Sequence, residues 1–254
     1  MVRLWPSDGA WLGHMTKRVR LPARRVPDAA TLLRLDEALD ALGRCPHQPR
    51  DLRREQAEAV PVRSVVGTMA RTEDFDRLFR PLNPDVRRRR QRLARSTGQA
   101  DVRLPPLSLV RVGDLYFVDD GHHRISIAHA RGQIAVDARV RAICTVAFAC
   151  ACLTQQDLRI KAAERGFLER VPLPDPALRD LWLDDTADYE TLAAAALRWS
   201  DEHGYTIDGS RALEPAAAAA WWHDHVIPLA HTSRCAGPVS TAASYLFCHT
   251  PATP

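Results

Sequence analysis

The sequence lacks several features that would fix a class outright. It has no Cys-x-x-Cys pair, although it carries six cysteines: Cys45, Cys144, Cys150, Cys152, Cys235 and Cys248. Cys150 and Cys152 fall in an apolar run, where cysteine behaves as a small hydrophobe, so neither a zinc site nor a disulfide framework is expected. The longest apolar run, Ala142 to Leu153, is far short of the roughly 20 residues a membrane helix needs. The opening residues Met1–Pro6 carry no signal-peptide core, and the expectation is a cytoplasmic protein without a membrane partner. There is no internal repeat, no heptad run and no low-complexity linker.

Lysine is also scarce. Lys plus Arg total 35 against 31 Asp plus Glu, a formal charge of +4, and nearly all the cations are arginine. Such a small excess does not by itself predict a nucleic-acid partner. Arginine is suited to phosphate recognition, yet an Ala- and Arg-rich, Lys-poor chain also follows from a GC-rich coding sequence. With 254 residues, 46% hydrophobic and 26% charged, the chain has the composition of an ordinary globular protein.

The segment after residue 28 places Leu32, Leu33, Leu35, Leu39 and Leu42 at helical spacing, with Gly43 as a stop. Asp51–Ala59 reads as polar and helical, leading into a strand over Val60–Val66. Gly67 and Thr68 follow it, and Thr72 is placed to cap a short helix carrying Phe75, Leu78 and Phe79, ended by Pro81 and Pro84. Arg87, Arg88, Arg89, Arg90, Arg92 and Arg95 then form a dense basic block, expected on a helix reaching Ser96.

Leu107–Val112 and Leu115–Val118 read as strands joined by Gly113-Asp114, a dipeptide suited to a two-residue hairpin turn. Asp119-Asp120-Gly121 ends the second strand, and His122–Arg131 has helical spacing with Gly132 as its stop. Ile134–Val140 alternates as a further strand. Beyond Cys144 the pattern is helical, over Leu158–Arg170, Tyr189–Trp199 and Pro215–Leu229. Trp221-Trp222-His223-Asp224-His225 offers metal-ligating types, but two histidines two residues apart diverge on a helix, and the tryptophans read as packing residues.

The turn Asp120-Gly121-His122-His123-Arg124 concentrates the chemistry. Glycine lets the backbone approach a ligand, and the first amides of the following helix have no intrahelical acceptor and favour an anion. Arg124 can grip phosphate oxygens, His122 and His123 can move protons, and Asp120 can hold magnesium. The plain alternative is a capped helix with two exposed histidines. Upstream, Gly67 and Thr68 are candidates for phosphate contact, and Glu73, Asp74 and Asp76 are candidate bases. Each of those carboxylates is equally explained as negative charge near a helix start.

Val110–Ala128, with Gly132 and the strand beyond it, resembles the ParB/sulfiredoxin superfamily, and the resemblance extends upstream to Val62–Pro81. It implies an α+β fold: a small mixed sheet with helices, flanked by an N-terminal helix and a helical C-terminal region. The expected divisions are 1–59, 60–142 and 143–254. In the family the turn holds nucleotide phosphates. Partition proteins of the family have Gly-Glu-Arg-Arg where this chain has Gly121-His122-His123-Arg124, so only the first and last residues carry over. Sulfiredoxins have a cysteine where His122 stands, which argues against sulfinic-acid reduction. Free-serine kinases of the superfamily use a turn similar to Asp-Gly-His-His-Arg.

The resemblance thus implies a nucleotide (ATP, ADP or CTP) or phosphorylated small molecule as ligand, with magnesium. It points to phosphoryl transfer or to hydrolysis of a nucleotide or phosphodiester, as in a kinase or nuclease. The alternative is a non-catalytic nucleotide-sensing or DNA-binding regulator, with the arginine block as the DNA contact. No helix-turn-helix is legible in the tail, and a homodimer is left open.

Overall fold

The computed structural model describes residues 31–46, 54–96, 105–205, 212–231 and 240–249. Residues 1–28 and Asp51–Arg53 lie outside them, as does Cys235. The described chain forms two compact units, one of residues 31–145 with 149–158 and one of 146–148 with 159–249. The fold is α+β, built on a mixed six-stranded sheet.

The hairpin is the centre of that sheet. β4 (Leu107–Val112) and β5 (Leu115–Asp120) pair antiparallel through the Gly113-Asp114 turn, where Gly113 has φ 57. Leu115, Tyr116, Phe117 and Val118 are all buried, the pattern of a strand covered on both faces. β3 (Val65–Thr68) lies parallel to β5, and β1 (Leu33–Arg34) lies parallel to β3. On the other side β6 (Ala135–Ile143) runs parallel to β4, and β2 (Gln56–Pro61) closes the sheet antiparallel to β6. The strand order is therefore β1-β3-β5-β4-β6-β2.

Helix α1 (Leu35–Leu42) ends at Gly43 with φ 68, the expected glycine stop, but it starts later than the leucine spacing predicts: Leu32 lies outside it and Leu33 pairs in strand β1. Helix α3 (His122–Ala130) follows β5 directly, and α2 (Pro84–Ser96) carries the arginine block. The core beneath the sheet is made by Val60, Val65, Phe75, Phe79, Val86, Leu107, Leu109, Val118, Ile125 and Val140, among others.

Three local expectations fail, the first being the single strand over Val60–Val66, which a 3-10 turn at Val62–Ser64 divides between β2 and β3. The polar stretch expected as a helix up to Ala59 is the edge strand β2, since Gln56–Ala59 pair with Asp137–Val140 and ladder pairing overrides their weak strand preference. Residues 72–79 form turns rather than a helix. The Asp76 carboxylate accepts from the amides of Leu78 (3.0 Å) and Arg80 (2.8 Å), and Phe79 adopts φ 54, which folds the chain back and buries both Phe75 and Phe79. Pro84 opens α2 instead of closing a helix, and the Asn83 side chain caps it by accepting from the Val86 amide at 2.9 Å.

The absence of disulfides is also overturned. Cys45 bonds Cys144, and Cys150 bonds Cys152. Apolar surroundings alone could not forecast either pair, because proximity is set by the fold. The two differ in consequence. Cys45 and Cys144 are 99 residues apart, a loop whose closure is worth about 4.7 kcal/mol on chain-entropy grounds. Cys150 and Cys152 are two residues apart, and their bond constrains almost nothing.

The second unit is helical: α4 (Leu158–Arg170), α5 (Asp175–Leu178), α6 (Thr186–Glu202), α7 (Pro215–Ala220), α8 (Ile227–His231) and α9 (Thr241–His249). The helix expected over Pro215–Leu229 is interrupted by a π-helical turn at Trp221–Val226, which buries Trp221 and Trp222. Its interior also holds a charged pair. Lys161 Nζ lies 2.5 Å from Glu164, whose carboxylate also accepts from the Phe148 amide at 3.3 Å and the Tyr189 hydroxyl at 3.4 Å. No helix among the described residues is long and apolar enough to cross a membrane.

Candidate functional site

β3 and β5 are parallel, so their C-terminal ends lie at one edge of the sheet. β3 continues into Met69, Ala70 and Arg71, and β5 into Gly121 and α3. Gly121 has φ 108, a backbone that only glycine adopts at ease. A Cβ there would also collide with Leu107 and press on the Arg124 guanidinium at 3.1 Å. The conformation turns the chain so that α3 starts at His122 without any side-chain cap. Its first amides therefore have no acceptor within the helix and no side-chain cap, at the positive end of the helix dipole.

They open on a cavity of about 360 Å³ lined by Arg71, Arg89, Leu93, Asp119, Asp120, Gly121, His122, His123 and Arg124. Arg89 and Leu93, one helical turn apart on α2, form its wall, and α2 packs along α3. Arg71 is braced by Asp74 at 3.6 Å, and Asp74 in turn accepts from the Asn83 amide group at 3.0 Å. Thus the residue that caps α2 also positions the chain that carries Arg71. Sequence reading singled out the turn but not Arg71, and it took Arg89 as part of a basic block, a solvated helix face with DNA contact as the alternative. The helical spacing of Arg89 and Leu93 was the available signal, but only packing against α3 turns it toward the turn.

His122 is buried, and its Nε2 lies 2.7 Å from the Thr68 hydroxyl. That hydroxyl oxygen already accepts from the amides of Ala70 and Arg71, both at 3.2 Å. Its single proton has two acceptors in reach, Nε2 at 2.7 Å and the Val118 carbonyl at 3.5 Å, and the much shorter contact favours donation to Nε2 and with it the neutral Nδ1–H tautomer of His122. Burial, helped by the nearby Arg71, pushes the His122 pKa down to about 4. The Phe75 ring stacks on it at 5.9 Å. With its lone pair occupied, His122 is an organiser of the turn more than a base.

His123 is half-buried at the cavity, with its Nδ1 buried and unpartnered. Burial first, then Arg71 and Arg89, lower its pKa, so at neutral pH it is uncharged and able to accept a proton. Arg124 is more committed than expected. Its Nη1 donates to the carbonyls of Pro105 and Pro106, both at 2.7 Å, and its Nη2 to Asp120 at 2.5 Å. The guanidinium lies over Gly121, braces the turn and still lines the cavity.

The remaining candidates are placed differently. Thr68 is fully buried, and its hydroxyl holds His122, so it does not face a phosphate. Gly67 lies inside the sheet, where a Cβ would strike the Phe117 ring and approach the Leu33 carbonyl at 2.7 Å; its need is close strand packing. Asp76 organises its own turn and pairs with Arg80 at 2.5 Å. Glu73 is exposed, and neither it, Asp74 nor Asp76 lines the cavity. Among the described residues no group of three His, Cys, Asp or Glu side chains is arranged to hold a metal ion, including His223 and His225. Asp119 and Asp120 do stand exposed at the cavity mouth.

α2 leaves Arg87, Arg88, Arg92 and Arg95 exposed, with Arg88 paired to Asp85, while Arg90 is half-buried. No protein-family profile, curated protein or solved structure matches the chain.

Proposed function

We propose that the chain binds a phosphate-bearing ligand at the N-terminus of α3, a nucleotide such as ATP, ADP or CTP, or a phosphorylated small molecule. One observation carries this reading: an uncapped nine-residue helix opens behind a left-handed glycine into a cavity walled by Arg71 and Arg89. Helix amides, dipole and two guanidinium groups all favour an anion in that space. The ParB/sulfiredoxin-like arrangement of hairpin, turn and helix supports the same ligand class. That relationship is part of the proposal, whereas the cytoplasmic location expected from the sequence is at odds with two disulfides, which persist mainly in oxidising compartments.

Magnesium fits as an accompaniment to the phosphate more than as a resident ion. It needs only one or two carboxylates beside phosphate oxygens, and Asp119 and Asp120 have that character at the mouth. When bound it would neutralise phosphate charge.

Phosphoryl transfer or hydrolysis there would be mainly positioning and charge stabilisation, with Arg71 and Arg89 on the phosphate and neutral His123 receiving the proton of the attacking hydroxyl or water. His122, buried with its Nε2 held at the Thr68 hydroxyl, is less suited to that role than His123.

The second reading, a non-catalytic nucleotide sensor or DNA-binding regulator, is favoured by the exposed arginines of α2. Calorimetric titration with CTP, ATP, ADP and GTP, with and without magnesium, tests the proposal on wild type and on an Arg71→Ala/Arg89→Ala variant. Micromolar binding by the wild type and a loss of at least about tenfold in the variant are expected. No binding by the wild type rejects the site, and binding without turnover selects the second reading.

A further inference from the structure

Arg77 lies apart from the turn, in the loop after β3, and is 93% buried, with 7% relative exposure. A guanidinium cannot shed its charge, so burial demands acceptors. Its Nη2 donates to the Ala151 carbonyl at 2.9 Å, but its Nη1 is buried without an acceptor. Asp157 supplies opposite charge nearby, yet its carboxylate already accepts from the Thr154 amide at 2.9 Å and the Thr154 hydroxyl at 2.6 Å. Ala151 is the single residue between Cys150 and Cys152. A buried and incompletely satisfied cation is thus bonded to the peptide that links two disulfide-bonded sulfurs.

The backbone of this segment is held independently of the S–S bond. The Leu153 amide donates to the Cys150 carbonyl at 3.0 Å, and the Asp114 amide to the Ala149 carbonyl at 3.0 Å. Both cysteines are partly exposed, whereas Cys144 of the long-range pair is buried. A bond spanning two residues, set in a turn that other contacts maintain, can open without releasing the fold.

We propose that Cys150 and Cys152 form a reversible two-electron thiol–disulfide couple, with the Arg77 guanidinium stabilising the thiolate released when the bond opens. The reductant is a dithiol. One of its thiolates attacks a sulfur of the pair, forming a mixed disulfide and expelling the other sulfur as the thiolate. The dithiol's second sulfur then displaces the first cysteine. The dithiol leaves as a disulfide, having given two electrons to the pair; of its two protons one goes to the cysteine left as a thiol and one to solvent, the other cysteine staying a thiolate beside Arg77. The reverse reaction oxidises an incoming dithiol. Cys45–Cys144, closing a long loop, is the structural counterpart that stays bonded.

The full chain is equilibrated in graded mixtures of reduced and oxidised dithiothreitol, quenched with acid, alkylated and mapped peptide by peptide. Cys150–Cys152 is expected to be half reduced at a dithiol-to-disulfide ratio at least about tenfold lower than Cys45–Cys144, with unchanged far-ultraviolet circular dichroism. Arg77→Gln is expected to raise that ratio about tenfold, since the thiolate loses its cation. Because Arg77→Gln could impair folding, Cys150→Ser/Cys152→Ser supplies a second measurement, and its melting temperature should stay close to that of the wild type. Opening of both disulfides together, an unshifted ratio in a folded Arg77→Gln protein, or a double variant as unstable as Cys45→Ser would each overturn the proposal.

Discussion

The Thr68 hydroxyl donates to Nε2 of His122 across 2.7 Å, joining the end of β3 to the first residue of α3. The contact fixes the turn from beneath, because the same oxygen gathers the Ala70 and Arg71 amides that lead the chain back over the site. Thr68→Val keeps the shape and removes the donor, leaving Nε2 buried and unpaired. A loss of about 1–3 kcal/mol in urea denaturation is expected, with Thr68→Ser close to wild type. Equal stability of Thr68→Val and wild type would refute the assignment.

His122 also makes stability depend on pH. Its pKa is held at about 4 in the folded chain, against 6.5 for an ordinary histidine, chiefly by burial and secondarily by Arg71. Between those values the unfolded chain binds the proton and the folded chain does not. Stability is therefore full above about pH 6.5 and is lost as pH falls toward 4, by up to about 3 kcal/mol at about 1.4 kcal/mol per unit. Burial lowers the pKa of His123 and His129 too, so they act in the same direction. Urea melts at pH 4.5 and 7.5 should show the loss, and His122→Gln should diminish it.

Gly121→Ala places a methyl group against Leu107 at φ 108. The left-handed backbone alone costs about 1–2 kcal/mol, and the collision adds to it. Any folded fraction should bind phosphate ligands more weakly than wild type does, as measured by calorimetry. Undiminished affinity in a folded Gly121→Ala protein would show that the turn is not the site.

Removing the long-range disulfide by Cys45→Ser/Cys144→Ser is expected to cost about 2–5 kcal/mol in denaturant titrations, because 99 residues separate the pair. A cost below about 1 kcal/mol would mean that the bond does not form in solution.

In the helical unit, Lys161→Met strands the Glu164 carboxylate, which is fully buried beside Tyr189. Breaking one side of such a pair costs about 3–5 kcal/mol, and Lys161→Met/Glu164→Gln should recover much of it in thermal melts.

The legible parts of the fold are those specified within a few residues. Gly113-Asp114 sets the hairpin, Gly121 and Gly132 bound α3, and the leucine spacing gives α1 from Leu35 onward but not Leu33, which β1 takes. The illegible parts depend on contacts distant in sequence. Gln56–Ala59 become a strand only because β6 lies beside them, and the Asp76 carboxylate turns residues 76–80 away from a helix. Cysteine pairing follows the same rule. For the site, the turn was readable and its surroundings were not: Arg71 and Arg89 reach it through packing, and Thr68 and Gly67 serve the sheet.

Because β3 and β5 are parallel and end at the same edge, the sheet and the cavity wall are separable parts of the molecule. The scaffold can thus keep its anion-binding turn while the exposed positions between Met69 and Asn83, Arg71 and Glu73 among them, retune which molecule carries the phosphate; Phe75, Arg77 and Phe79 are held by burial and are not free to vary.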